Sequence, residues 1–215
     1  MRTEDLISQL SRGLKPVRRL PSPLAMLGLW CLFCAGVIGA ALLISGLRAD
    51  FAAWLMDGFD LYHLMSAALV ALTAGYAAFQ LALPDRDQRW ALLPVPAVVG
   101  WLVTMGWGCL EDLARLGPEA LQLGVSLPCL SFIIGLGLPM TAAIVFLTRH
   151  AALLRPVPVA ALGALSAAAF ASLGLTLVHE LNAAVMVLVW HGLAVLVVTA
   201  LGALAGPLLM QRAAL

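Results

Sequence analysis

This sequence predicts an all-α membrane protein, a bundle of six transmembrane helices with the N- and C-termini cytoplasmic. Three observations lead there. Of its 215 residues 63% are apolar and only 11% charged, where an ordinary soluble domain has roughly a quarter charged. Apolar runs long enough to cross a hydrocarbon core of about 30 Å, which takes about 20 residues of helix, occur six times. The basic residues gather on one side of those runs. Strands of an outer-membrane barrel alternate apolar and polar residues and would give no continuous runs, so helix is the element expected throughout.

Residues 1–23, "MRTEDLISQLSRGLKPVRRLPSP", form a polar tail. Leu6, Leu10 and Leu14 recur at four-residue spacing with Ile7 beside them, Thr3 can cap, and Glu4 and Asp5 suit the positive end of a helix. The expectation is a short amphipathic helix. At about a dozen residues it is marginal alone in water, so its stripe calls for a surface to fold upon. The inner leaflet, which would attract Lys15, Arg18 and Arg19, and a cytoplasmic protein both qualify, and periodicity leaves the choice open. Pro16, Pro21 and Pro23 mark a linker. Basic residues before the first apolar run raise the question of a cleaved signal. That run is too long and starts too late for one, so an uncleaved first helix is expected.

The spans themselves are expected near Leu24–Leu47, Leu61–Leu83, Ala91–Leu110, Cys129–Leu147, Val159–Val178 and Ala183–Met210, within a membrane domain 24–210, and 211–215 forms a short C-terminal tail. The last run exceeds what a bilayer requires and has room to tilt or extend. Pro94 and Pro96 open the third span and Pro156 and Pro158 the fifth, where a missing N–H costs little; Pro139 should kink the fourth. Small residues fill the fifth span in "ALGALSAAAFASLG" and return in "LGALAG" of the sixth, faces that permit close helix packing and a compact bundle.

Orientation follows from the cations. With the N-terminus inside, Arg2, Arg12, Lys15, Arg18, Arg19, Arg86, Arg89, Arg149, Arg155 and Arg212 are cytoplasmic, while only Arg48 and Arg115 lie outside. That bias satisfies the positive-inside rule. Asp50, Asp57, Asp60, Glu111, Asp112, Glu119 and Glu180 fall outside.

Chemistry, if present, belongs to Cys and His. Cys109 ends the third span in "GWGCLED" and Cys129 begins the fourth in "SLPCLSF", which places both at the outer face. A disulfide between them is permitted by an oxidising exterior. A thiolate pair with imidazoles would instead take a zinc or cuprous copper ion, and His179 in the outer turn "VHELN" and His191 in "LVWHG" lie near the same face. Against both stands the plain role of Cys as a small buried residue, and the spacing matches no zinc signature. His191, polar within a span, should face the bundle interior. His63 is expected at the interface. Cys31 and Cys34 in "WCLFC" lie in the inner half of an apolar helix, away from water and thiolate-stabilising charge, and read as packing residues. No Gly-rich phosphate loop, Ser-x-x-Lys or His-Glu-x-x-His is present, and no extramembrane segment is long enough to build an active site, so an enzyme is not expected.

Taken together, the tail, "LPDRDQRWALLPVPAVVGWL", "WGCLEDLARLGPEALQLGVSLPCLSFI", "LTRHAALLRPVP", "HELNAAVMVLVWHG" and "LGALAGPLL" resemble the NrsF family of six-helix bacterial membrane anti-sigma factors, along essentially the whole chain. The resemblance implies a protein that holds an extracytoplasmic-function (ECF) sigma factor inactive at the inner membrane and releases it under stress, with no direct contact to nucleic acid. It further implies outer-face cysteines that sense oxidants or metals. Cys129 and Cys109 match cysteines of the family at the start of the fourth and end of the third span, and His179, Trp190 and His191 match its last outer turn and final span. One departure is that many relatives carry Cys-Pro just after the position of His179, where this chain has Glu180 and Leu181. If that cysteine is the usual disulfide partner, the role passes here to Cys109 or to a metal site. On this resemblance the tail stripe of Leu6, Ile7, Leu10 and Leu14 would hold sigma, Glu4 and Asp5 would meet its basic surface, and the inner loops near Arg86 and Arg149 would complete the dock. The alternative is a small transporter or a metal-handling or redox membrane protein.

Overall fold

The computed structural model describes residues 3–12, 21–56, 58–124, 126–149, 151, 154–178 and 184–212, with the side chains of all but 53–55, 58–60 and 211–212 among them. Among the described residues every regular element is helical. In chain order these are α1 (Thr3–Arg12), α2 (Pro23–Ser45), α3 (Phe51–Met56), α4 (Gly58–Leu81), a 3-10 turn (Gln88–Leu92), α5 (Val95–Leu116), a second 3-10 turn (Gly117–Leu121), α6 (Leu127–Thr148), α7 (Pro156–Val178) and α8 (Ala184–Arg212). Six helical segments are long and apolar enough to cross a membrane: Pro23–Ser45, Leu61–Leu81, Gln88–Leu121, Leu127–Thr148, Pro156–Val178 and Ala184–Met210.

Local sequence explains the ends. Ser22 caps α2 by accepting from the Ala25 N–H at 3.3 Å, and Pro23 stands at the first turn, where its missing N–H is harmless. Gly46 ends α2 at φ 82° and Gly117 ends α5 at φ 69°, a left-handed region that favours glycine. The third span runs past its expected end at Leu110 because "EDLARL" continues the helix, with Arg115 donating to Glu111 one turn back. Pro139 does not interrupt α6, which continues through it to Thr148, as α8 does through Pro207. Pro139 lies on the exposed face, so its ring takes no space from the packed one.

The six long helices alternate in direction. One end of the bundle, the near end, gathers the start of α2, the α4–α5 turn and the α6–α7 link; the far end gathers the α2–α3 loop, the α5–α6 loop and the start of α8. At the centre stands α7, which packs on α2, α4, α6 and α8. Its small residues make this possible. A Cβ on Gly202 of α8 would collide with Ala164 Cβ, and one on Gly206 with Ala160 Cβ, so α7 and α8 meet almost backbone to backbone. Gly163 receives the Ile144 side chain from α6 in the same manner. Polar atoms fasten the other side: Trp30 Nε1 of α2 donates to Ser166 Oγ at 3.0 Å, and Ser166 donates onward to the Ala71 carbonyl of α4 at 2.7 Å. With Trp30 and Ser166 fully buried, this three-helix node has no competing water.

Candidate functional site

The residues singled out in the sequence occupy three separate places. Leu6, Ile7 and Leu10 lie on α1, 40%, 60% and 64% exposed, with Glu4 and Asp5 in its first turn and Arg12 in its last; α1 buries nothing. The amphipathic helix expected there is present as Thr3–Arg12, and Leu14 lies outside the described residues.

At the far end, Cys129 is fully buried among Ile133 of α6, Ala171 and Leu175 of α7 and Ala194 of α8, and its Sγ accepts from Ser126 Oγ at 2.7 Å. His191, also fully buried, places Nδ1 2.9 Å from Ser172 Oγ on α7, as expected of a polar residue turned to the bundle interior. Cys109 is half-buried on α5. The thiols of Cys109 and Cys129 are free. Their helices share a neighbour instead of packing together, since α5 packs on α4 and α8 while α6 packs on α7 and α8. Among the described residues no three of His, Cys, Asp and Glu converge on a point where a metal ion would sit, so Cys109, Cys129 and His191 do not form such a set by themselves. His179 lies outside the described residues.

Several far-end contacts were not singled out from the sequence. Arg48 is 7% exposed; its backbone N–H donates to the Leu177 carbonyl at 3.0 Å and its guanidinium reaches the Thr176 carbonyl at 3.5 Å. These are the last carbonyls of α7, where a cation is favoured by the helix dipole. Asp50 holds the same guanidinium at 2.6 and 2.8 Å, and that charge-assisted pair keeps the Asp50 carboxyl below the ordinary carboxylate range. On the other side, Asp112 of α5 accepts from the Ala184 N–H at the start of α8, and Trp190 donates to the Gly124 carbonyl at 3.0 Å. A lone outer Arg just after an apolar run was the one sequence signal that could have revealed the first clasp.

His63, expected at the interface, is turned into the bundle. It is 5% exposed, with its ring 6.1 Å from that of Trp101. The alternation of burial along α4 turns it inward with Ser66, Ala67 and Val70. Cys34 is fully buried with Trp30 and Phe79 and Cys31 is half-buried, in keeping with packing roles.

At the near end the loops are tied together. Arg155, just before α7, donates through Nη1 to the Arg86 carbonyl at 2.6 Å. Arg149 stacks its guanidinium 3.2 Å from the Phe146 ring centroid. The turn Gln88–Leu92 opens a shallow groove of about 450 Å³ lined by Asp87, Arg89, Trp90, Leu92 and Leu93. Thus the polar near-end rim and the buried thiol and imidazole of the far end lie at opposite ends of the bundle, and the exposed α1 precedes both in sequence.

No curated protein and no solved structure matches the chain. A family model does, over residues 10–211, which take in every long helix and begin within α1 at Leu10. Its description is negative regulator of sigma F. With nearly the whole length matched, the chain belongs to the NrsF family of negative regulators of sigma F.

Proposed function

We infer that this protein is a membrane-embedded anti-sigma factor of the bacterial inner membrane, which sequesters an ECF sigma factor through its cytoplasmic tail and inner loops and releases it on an oxidative signal at the outer face. The family is regulatory, not enzymatic, and its name makes a sigma factor the partner. On this reading, residues 1–23 are the cytoplasmic tail, 24–210 the membrane domain and 211–215 a second cytoplasmic tail. The near end faces the cytoplasm, because it carries Arg86, Arg89, Arg149, Arg155 and Arg212.

The observation that carries the reading is α1. A helix of 10 residues with Leu6, Ile7 and Leu10 exposed on one stripe gains stability from a partner that covers the stripe. Sigma supplies that cover, and Glu4 and Asp5 complement its basic nucleic-acid-binding surface. To test it, immobilised full-length protein is challenged with each purified sigma factor of the source organism. Leu6→Asp plus Leu10→Asp should lower retention of the bound sigma factor by at least about tenfold; unchanged retention eliminates the tail as the holding element.

For release, oxidation of the Cys109 and Cys129 thiols to a disulfide by a peroxide, which leaves as two waters, would draw α5 and α6 together. Cys129 packs on α7, and α7 leads to Arg155 and the rim, so a shift of Cys129 has a direct route to the near end. Such coupling requires two bundle arrangements that differ in affinity for sigma. Cys109→Ser or Cys129→Ser should abolish peroxide induction of a sigma-dependent reporter, and full induction in both removes the thiols from the signal. A metal-sensing form would need His179 to join the set.

A further inference from the structure

We propose that the groove formed by the turn Gln88–Leu92 is a second sigma-binding surface, which receives an acidic, apolar-tipped segment of the sigma factor already held by α1. The proposal rests on the anti-sigma reading and deepens it.

Three observations argue for it. First, the groove is built and held. Asp87 Oδ1 accepts from the Arg89 N–H at 2.8 Å and caps the turn. Trp90 packs edge-on against Tyr76, with centroids 5.6 Å apart at 86°, and the Tyr76 hydroxyl accepts from Gln80 Nε2 at 2.7 Å. Gln80 is 4% exposed, so the Trp90 wall is fixed to the body of α4. The Arg155 bond to the Arg86 carbonyl secures the adjoining loop to the start of α7. A wall that is already ordered loses little entropy on binding.

Second, composition suits a protein segment. Half-buried Trp90 and exposed Leu92 offer an aromatic and an aliphatic anchor, and Arg89 stands at the mouth. Asp87 and Arg89 both line the groove, and beside it Arg86, paired with Asp85 at 4.0 Å, is joined by Arg155, which leaves the rim one positive charge in excess while the first turn of α1 is acidic. One partner must therefore present opposite charge to the two surfaces, as a sigma factor with a basic nucleic-acid-binding face and an acidic face elsewhere would.

Third, reach and affinity agree. Residues 13–22 join α1 to α2, and ten residues span at most about 35 Å. That is close to the width of a small domain, so sigma held on α1 stays within reach of the rim. A single short helix binds weakly because it must also be ordered. A second weak site on a short tether adds a millimolar effective concentration and raises retention by about a hundredfold without further contact area.

The experiment uses the full-length protein in lipid nanodiscs and the sigma factor that the wild-type chain retains. Leu92→Asp and Arg89→Glu alter only exposed side chains, and Trp90→Ala removes the anchor. Each should weaken retention at least about fivefold, with Leu92→Asp and Arg89→Glu keeping the wild-type Tm. If the tail variant loses sigma while Leu92→Asp and Arg89→Glu hold it as well as wild type does, the groove proposal is overturned and the anti-sigma reading stands. If no sigma factor is retained by the wild-type chain, the anti-sigma reading itself fails.

Discussion

Helices α2 and α7 have the same length of 23 residues, yet they stand at opposite extremes of burial. The apolar window of α2 has a mean hydropathy of 2.4 and is 17% buried; that of α7 has 1.9 and is 61% buried. The more hydrophobic helix is the more exposed. In water this order would be anomalous, but it is the order expected of a bundle in a bilayer, where lipid tails solvate Leu as well as protein does and no driving force pulls large apolar side chains inward. Helices are drawn together by close packing and by polar atoms that need partners. Helix α7 has both, in Ala160, Ala164, Ala168, Ala171 and in Ser166 and Ser172; α2 leaves Leu29, Leu32, Leu43 and Ile44 exposed and is held by Trp30 and Cys34. In this bundle smallness marks the inside.

The contrast can be broken most severely where backbones meet. Gly202→Leu forces a side chain into Ala164 and should separate α7 from α8 at a cost of about 3 kcal/mol or more, seen as loss of folded protein in detergent; Leu32→Ala on α2, at a 72% exposed position, should leave the Tm unchanged. Equal losses in both would refute the ordering. Next comes the polar node. Ser166→Ala strands the Trp30 indole N–H and should destabilise by about 1–3 kcal/mol, while Ser166→Ala combined with Trp30→Phe should recover part of that loss because both partners are then apolar. A double variant worse than the sum of its parts would mean that the hydrogen bond is not what the node contributes.

The smallest effect concerns the clasp that ties the loop after α2 to the end of α7. The folded-state pKa of Asp50 is depressed by Arg48. Its stabilisation is therefore present above the ordinary carboxylate range and is lost as pH falls through the lower folded value. Asp50→Asn should flatten that part of the Tm profile by a small amount, since the carboxylate is well exposed and screened. A wild-type profile already flat below the ordinary carboxylate range would remove the clasp from the account.

The amphipathic α1 was legible because Leu6, Ile7 and Leu10 repeat at helical spacing, a signal contained in a dozen residues. Prolines at element ends were equally local, and Pro94, Pro96 and Pro156 stand where a helix begins. The packing of Cys129 against α7 and α8, the Ser172 partner of His191 and the α7 carbonyls that hold Arg48 were not readable, for each of these lies on another helix. His63 was read as interfacial from its place near the start of a span, and its burial against Trp101 depends on how α4 is rotated toward α5.

The sequence alone determined the number and approximate extent of the long helices, because apolar length over about 20 residues is a property of one segment. It also determined that α7 would pack closely, since its small side chains are written in order. Which helices surround α7, which thiol is buried and which carbonyls the arginines hold were decided only in the tertiary structure. Those outcomes depend on the rotation of each helix about its own axis, and a helix apolar on every face carries almost no periodic signal to fix that angle.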